Sequence, residues 1–168
     1  MQTIFFLGDT HFNHARILEF QPKERPFASI LEHDEALIQN WNSVVKPNDI
    51  VWHLGDVVFG TDSAYAESIL RRLNGDKRLI MGNHDNLKKI DYTKFFTGVY
   101  GFWALKQKIA LSHFPLHPQQ KYRYKANIHG HLHAHNIEDP WYVNVSCEQI
   151  NCTPISWEDL KKKHEILK

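Results

Sequence analysis

Five short polar clusters punctuate the chain: Gly8-Asp9-Thr10-His11, Gly55-Asp56, Gly82-Asn83-His84-Asp85, Ser112-His113-Phe114-Pro115 and Gly130-His131-Leu132-His133. Four of them hold a glycine, which lets the backbone leave a strand sharply. Each then presents Asp, Asn or His. The candidate metal ligands are Asp9, His11, Asp56, Asn83, His113, His131 and His133. They are imidazole nitrogens and carboxylates with one amide oxygen and no sulfur. That donor set suits Mn, Fe, Zn or Co better than Ca or a thiolate-seeking ion. Seven ligands are too many for one tetrahedral ion. They suit two five- or six-coordinate ions that share a carboxylate, with water filling the remaining positions.

No cluster is decisive alone. Asp-x-His after a strand is more often a turn aspartate beside a polar histidine, and Gly-Asp is nearly uninformative. Gly-Asn-His-Asp is an ordinary self-bonding turn. The weight lies in all five falling in order at strand ends. The stretch HGHLHAHN sets His129, His131, His133 and His135 at every second position, so a strand would point all four one way.

Apolar β-formers gather in short runs: TIFFL (3–7), DIVWHL (49–54), KRLIMG (77–82), KIALSH (108–113), ANIHG (126–130) and YVNVS (142–146). These read as buried strands ending in polar loops. Between the first two, Ile30, Leu31, Leu37, Ile38, Trp41 and Val45 form one helical stripe, with Ser29 as cap and Pro47 beyond its end. A second helix is predicted over 62–73, capped by Asp62 or Ser63 and stopped by Asn74-Gly75. A last one starts at Ser156, where Ser-Trp-Glu-Asp is a capping-box pattern. The expected fold is an α/β layered domain with sheets flanked by helices and its polar clusters at strand ends.

A length of 168 residues suits one domain, 1–168, with a sizeable core. Net charge is +1, so no global field draws nucleic acid or an anionic membrane. Cys147 and Cys152 form no Cys-x-x-Cys pair and read as reduced, part-buried thiols. The N-terminus lacks a basic region and a cleavage site, and no apolar run approaches a membrane span. The expectation is a cytoplasmic protein that is not exported.

Taken in order, GDTH, GD, GNHD, SHFP and GHLH resemble the calcineurin-like metallophosphoesterase superfamily. The resemblance spans residues 8 to 133, and 144–160 is similar to the tail of its small, capless bacterial and phage-type members. It is specific for fold and metal centre and poorly specific for substrate. It implies a two-sheet β-sandwich flanked by helices, with a dinuclear centre at the strand ends. By position it implies Asp9, His11 and His133 on a first metal, Asn83, His113 and His131 on a second, and Asp56 bridging them. It implies that His84 is no ligand and faces the substrate. The cofactors would be two divalent ions, Mn2+ favoured, with Fe, Zn, Ni or Co as alternatives. A hydroxide bridging the two ions would attack phosphorus while His84 protonates the leaving oxygen. Asp85 either orients an imidazole or closes its turn, and the turn is the preferred reading.

Departures narrow the substrate. Gly55-Asp56-Val57-Val58-Phe59-Gly60 lacks the Asp and Arg that the family's protein phosphatases carry there. The chain leaves little length for a capping domain, so the site should be open. Asn13, His14 and Arg16 follow the first ligand pair and would lie at its mouth. Arg16 either clamps a phosphate oxygen or merely starts a short helix in solvent. Lys121-Tyr-Arg-Tyr-Lys125, with Arg123 at its centre, interleaves basic and aromatic residues that can track a phosphate backbone. Its place between two ligand segments predicts a position near the metals, with an exposed loop as the plainer reading. The expected function is hydrolysis of phosphodiesters or phosphomonoesters, on a small phosphate ester or a nucleotide. Nucleic acid is allowed and not demanded. The alternatives are a nuclease acting on single-stranded ends and a non-catalytic, metal-stabilised binding module.

Overall fold

The computed structural model describes residues 2–168. Two sheets pack face to face. The first holds β1 (Ile4–Leu7), β2 (Ile50–His53), β3 (Asp76–Ile80) and β4 (Gly98–Tyr100) in the order β4-β3-β2-β1, all parallel. A two-residue strand, later numbered β9 (Ile155–Ser156), adds antiparallel to β1. The second sheet holds β5 (Trp103–Ala104), β6 (Ile109–Ser112), β7 (Ala126–His129) and β8 (Tyr142–Asn144) in sequence order. Within it, β6, β7 and β8 run parallel and β5 antiparallel. The strands of residues 5–7, 51–52, 109–111 and 126–129 are almost wholly buried, and one hydrophobic cluster takes Phe6, Leu7, Leu79, Leu111, Ile128 and Val143 from both sheets.

The sheets are stitched together where the polar clusters emerge. Gly8, just past β1, receives a bond from Cys147 N (3.0 Å) and donates to Val145 O (2.8 Å), making a parallel bridge to Ser146. The exit ends of β1, β2, β6 and β7 therefore share one edge of the sandwich.

The helices follow the expected caps. Ser29 Oγ accepts Glu32 N ahead of α2 (Ile30–Val44), Asp62 caps α3 (Ser63–Leu70), and Ser156 caps α4 (Trp157–Lys163). A single turn, α1 (Ile17–Phe20), begins at Arg16. Two details differ from the sequence pattern. The second helix stops at Leu70, where Arg72 N turns back to Ile69 O (2.9 Å), ahead of Gly75 at φ +98°. On α2, Leu31 is 66% exposed, whereas His33 and Asp34 are buried in its place. Strands β4, β5 and β9 are too short for periodicity to reveal. Among the described residues, no helix is long and apolar enough to cross a membrane.

Candidate metal centre

The loop leaving β1 and the loop leaving β2 run side by side. Asp9 N donates to Gly55 O (2.9 Å) and His11 N to Asp56 O (3.0 Å). These bonds hold unusual backbone conformations. Asp9 (φ 58°), His11 (48°), Asp56 (56°), His131 (70°) and His133 (52°) all adopt the left-handed region. Each such non-glycine residue costs on the order of 1–3 kcal/mol, and such strain collects at functional sites. Five of the seven candidate ligands carry it.

The strain brings two clusters together. One oxygen or nitrogen from each of Asp9, His11 and His133 lies within 4.8 Å of the others, and the same holds for Asp56, His113 and His131. Asp56 faces both: its Oδ2 is 3.5 Å from His11 Nε2 and 3.4 Å from His113 Nε2. Asn83 joins through Oδ1, 3.0 Å from His113 Nε2. His84 stands at the rim, its side chain 43% exposed and its Nε2 4.0 Å from Asp56 Oδ2. Its backbone N–H donates to Asp56 Oδ1 (2.9 Å).

These groups fit divalent cations. His11 is 2% exposed, yet neither ring nitrogen has a protein partner. A buried imidazole left so is costly unless something else meets its lone pair. Burial holds its pKa well below the ordinary value, so it stays a neutral ligand. His113 Nδ1 sits 2.7 Å from Leu54 O and His133 Nδ1 3.0 Å from Glu148 Oε1. Both acceptors assign the proton to Nδ1 and free Nε2 to face a metal. Burial pushes the Asp9 pKa up to about 6, against the pull of His113. Burial also raises that of Asp56, but hydrogen bonding and charge from His113 outweigh it and hold the group well below the usual carboxylate range.

Further residues support the ligands from behind. Asp85 does close its turn, accepting Gly82 N through Oδ2 (2.8 Å). It also takes Asp56 N (2.9 Å) and Val57 N (2.9 Å), so it fixes the backbone of the central carboxylate rather than any imidazole. Glu148 and Arg25 are buried behind the first cluster, and neither belongs to the five polar clusters. His129 ends β7, buried, with Nδ1 2.8 Å from Gly130 O; His135 is exposed.

The other expected residues divide. Asn13 (φ 67°) sits by Gly60, whose Cβ would be 3.9 Å from its Nδ2. His14 stacks on Phe59 at 3.8 Å and lies 5.3 Å from the His11 ring, its pKa lowered to about 4 by burial first and His84 next. Arg16, at the start of α1, is 70% exposed, lies over Phe20 and beside Glu19, and its charge adds to the lowering of the His14 pKa. Arg123 is a correction. It closes the turn Pro118–Tyr122 ahead of β7, and Lys125 N donates to Lys108 O at the entering end of β6 (2.8 Å). The ligands leave the opposite ends of those strands, so the basic–aromatic run lies away from the clusters, with Lys121 paired to Asp139.

The centre is open. A groove of about 670 Å³ lined by Phe59, Gly60, Met81, Asn83, His84 and Lys88 runs beside it. Across the centre, Phe114 is 49% exposed with its ring 4.4 Å from His131.

Comparison with known proteins agrees with this geometry. A calcineurin-like phosphoesterase family model matches residues 2–165. An uncharacterized protein of Methanocaldococcus jannaschii is 35% identical over 96% of this chain and 91% of its own. The gene 66 protein of Mycobacterium phage L5 is 30% identical over 99% of this chain and 93% of its own. A crystal structure of a protein of unknown function from Aquifex aeolicus superposes with a TM-score of 0.78 at 29% identity, covering 97% of this chain and all of that one. With strain, histidines and carboxylates gathered at one edge of a two-sheet sandwich, and a family model matched almost end to end, the chain belongs to the calcineurin-like phosphoesterases.

Proposed function

We propose that this chain is a dinuclear metal-dependent phosphoesterase acting on phosphodiesters or phosphomonoesters. The observation that carries the reading is the meeting of two three-ligand clusters on Asp56 Oδ2, beside a buried His11 whose ring nitrogens have no protein partner. Asp9, His11 and His133 would hold one cation, and Asn83, His113 and His131 the other, with Asp56 common to both. Two bound cations would supply a nucleophilic hydroxide at neutral pH and neutralise the spreading charge of the phosphoryl oxygens. The N/O donor set favours Mn2+ over softer ions.

The chain's own residues do the rest. His84 reaches over the centre from the groove wall and gives its proton to the leaving oxygen. Asn13 and His14 border the same opening and contact the ester. The open groove beside Phe59 and His84 admits a small ester or nucleotide. Cys147 and Cys152 are free and buried, in keeping with work in a reducing cytoplasm.

A metal-by-substrate panel tests the reading: Mn2+, Ni2+, Co2+ and Zn2+ against p-nitrophenyl phosphate, its bis-ester, cyclic nucleotides and short oligonucleotides. Turnover with at least one metal is expected, and Asp56→Asn should abolish it. Tight metal binding with no turnover anywhere would leave a binding module instead.

A further inference from the structure

Behind the first cluster lies a buried chain of charged groups that the reaction itself does not use. Glu148 Oε1 accepts from Arg25 Nε (2.8 Å) and from His133 Nδ1 (3.0 Å). Arg25 Nη1 donates to Thr10 O (3.0 Å) and Nη2 to Asp9 O. Arg25 Nη1 also meets His33 Nε2 (2.8 Å), and His33 Nδ1 meets Asp34 Oδ1 (2.7 Å). Asp34 Oδ2 then accepts Asn13 N (2.8 Å) and Tyr65 OH (2.7 Å). The side chains of Arg25 and Glu148 have no exposed surface.

We infer that Glu148 and Arg25 are positioning residues that set the geometry of the first cation site, a step that rests on the dinuclear reading above. Glu148 fixes the ring orientation and tautomer of His133 from one side. Arg25 grips the carbonyls of Asp9 and Thr10, inside the turn where Asp9 and His11 are both left-handed. The ion pair thus ties the loop after β1 to the loop after β7, and all three ligands of one cluster lie on those two loops. Stability alone is a poor reason for the pair. Burying two charges costs about as much as their attraction returns, and apolar replacement of such pairs is often neutral. The second cluster has its own anchor, Leu54 O on His113, and none of its ligands is hydrogen-bonded to this pair.

The selectivity gives the test. Mn2+ binding to the metal-stripped protein is followed by titration calorimetry and by electron paramagnetic resonance, with His133→Ala and His131→Ala as references for loss of each site. Wild type should bind two ions as a spin-coupled pair. Glu148→Gln keeps an accepting oxygen but loses the charge. It should weaken one site about tenfold, and Arg25→Met/Glu148→Met, which leaves no unpaired charge, about 100-fold. Both should weaken the same site that His133→Ala removes, so that an uncoupled single-ion spectrum persists to higher Mn2+ than in wild type, with circular dichroism unchanged. Wild-type affinity at both sites in folded variants overturns the inference, and so does equal weakening of both, which a merely structural role would give. Fewer than two ions in wild type would overturn the dinuclear reading itself and this inference with it.

Discussion

The carboxylate of Asp9 fills the space that any side chain at Gly130 would need. A Cβ on Gly130 would stand 2.4 Å from Asp9 Oδ2 and 3.2 Å from Leu54 O. The next residue, His131, donates its backbone N–H to both Asp9 oxygens (3.1 and 2.9 Å). Glycine is therefore required here for close approach, so that a residue 122 positions away can be clasped by the turn bearing the other ligands. Gly130→Ala should displace the carboxylate and lower kcat by ~10²-fold, as small misplacements of a reacting centre do. Gly101→Ala, whose Cβ meets nothing within 4 Å, is the control and should be silent. Equal Mn2+ affinity in both variants would show that Asp9 is not confined in this way.

Asp85 makes a comparable prediction about stability. Its carboxylate accepts three backbone N–H groups, from Gly82, Asp56 and Val57. Asp85→Asn must turn an amide N–H2 toward at least one of those donors. Leaving a buried donor unmet costs ~1–3 kcal/mol. The urea midpoint should fall accordingly. The amide oxygen can keep Gly82 N and Asp56 N, both held by Oδ2, so the donor left unmet is Val57 N, held by Oδ1. Activity should fall further than the unfolded fraction explains, because that donor is the residue next to Asp56 and its left-handed backbone. An unchanged midpoint would mean that water replaces the carboxylate at no cost.

The parts of the site that can be read from sequence are those that are contiguous. GDTH, GNHD and GHLH each carry glycine and ligand in one short run, and the strand before each is apolar enough to place the run at a strand end. Caps are legible for the same reason: Ser29, Asp62 and Ser156 each act within three residues. Glu148 and Arg25 are not legible, because their roles exist only through contacts 15 to 123 positions away. His33 and Asp34 hide for a related reason. The helical stripe assigns apolar Leu31 inward, whereas the buried network draws the polar pair in and leaves Leu31 to solvent. Arg123 misleads because proximity in sequence to two ligand runs does not say which end of β7 a loop joins.

His84 is expected to act in turnover and not in metal binding. Its imidazole is partly exposed beside the groove, and the backbone N–H of the same residue already serves Asp56. His84→Ala should keep both cations and lose ~10²–10⁴ in kcat, the usual worth of a general acid. The loss should be larger for an alkyl ester, whose alkoxide needs the proton, than for a p-nitrophenyl ester, whose leaving group does not. Equal losses on the two esters would assign His84 to substrate orientation. Loss of a cation would make it a ligand.

His53 should impose a pH dependence on stability. It is fully buried, and burial lowers its pKa to about 3 against the opposing charge of Asp56. Its Nδ1 accepts Gly55 N–H (3.2 Å), which leaves Nε2 to donate to Thr10 Oγ1 (3.0 Å), whose hydroxyl donates on to Val57 O (2.8 Å). A second proton on the ring would have to expel the Gly55 N–H. The unfolded chain takes that proton near pH 6.5 and the folded chain only near 3. Stability linked to His53 is therefore intact above pH 6.5 and drains as the pH falls toward 3, at up to ~1.4 kcal/mol per pH unit. Between pH 7 and 5 the loss comes to about 2 kcal/mol from this group. Urea unfolding at the two pH values checks it. His53→Leu lowers stability at pH 7, because Gly55 and Thr10 lose a partner, yet its further loss on going to pH 5 should be about 2 kcal/mol smaller than in wild type. Parallel losses in the two proteins would move the effect to His129, whose pKa is likewise held down to about 4 by burial.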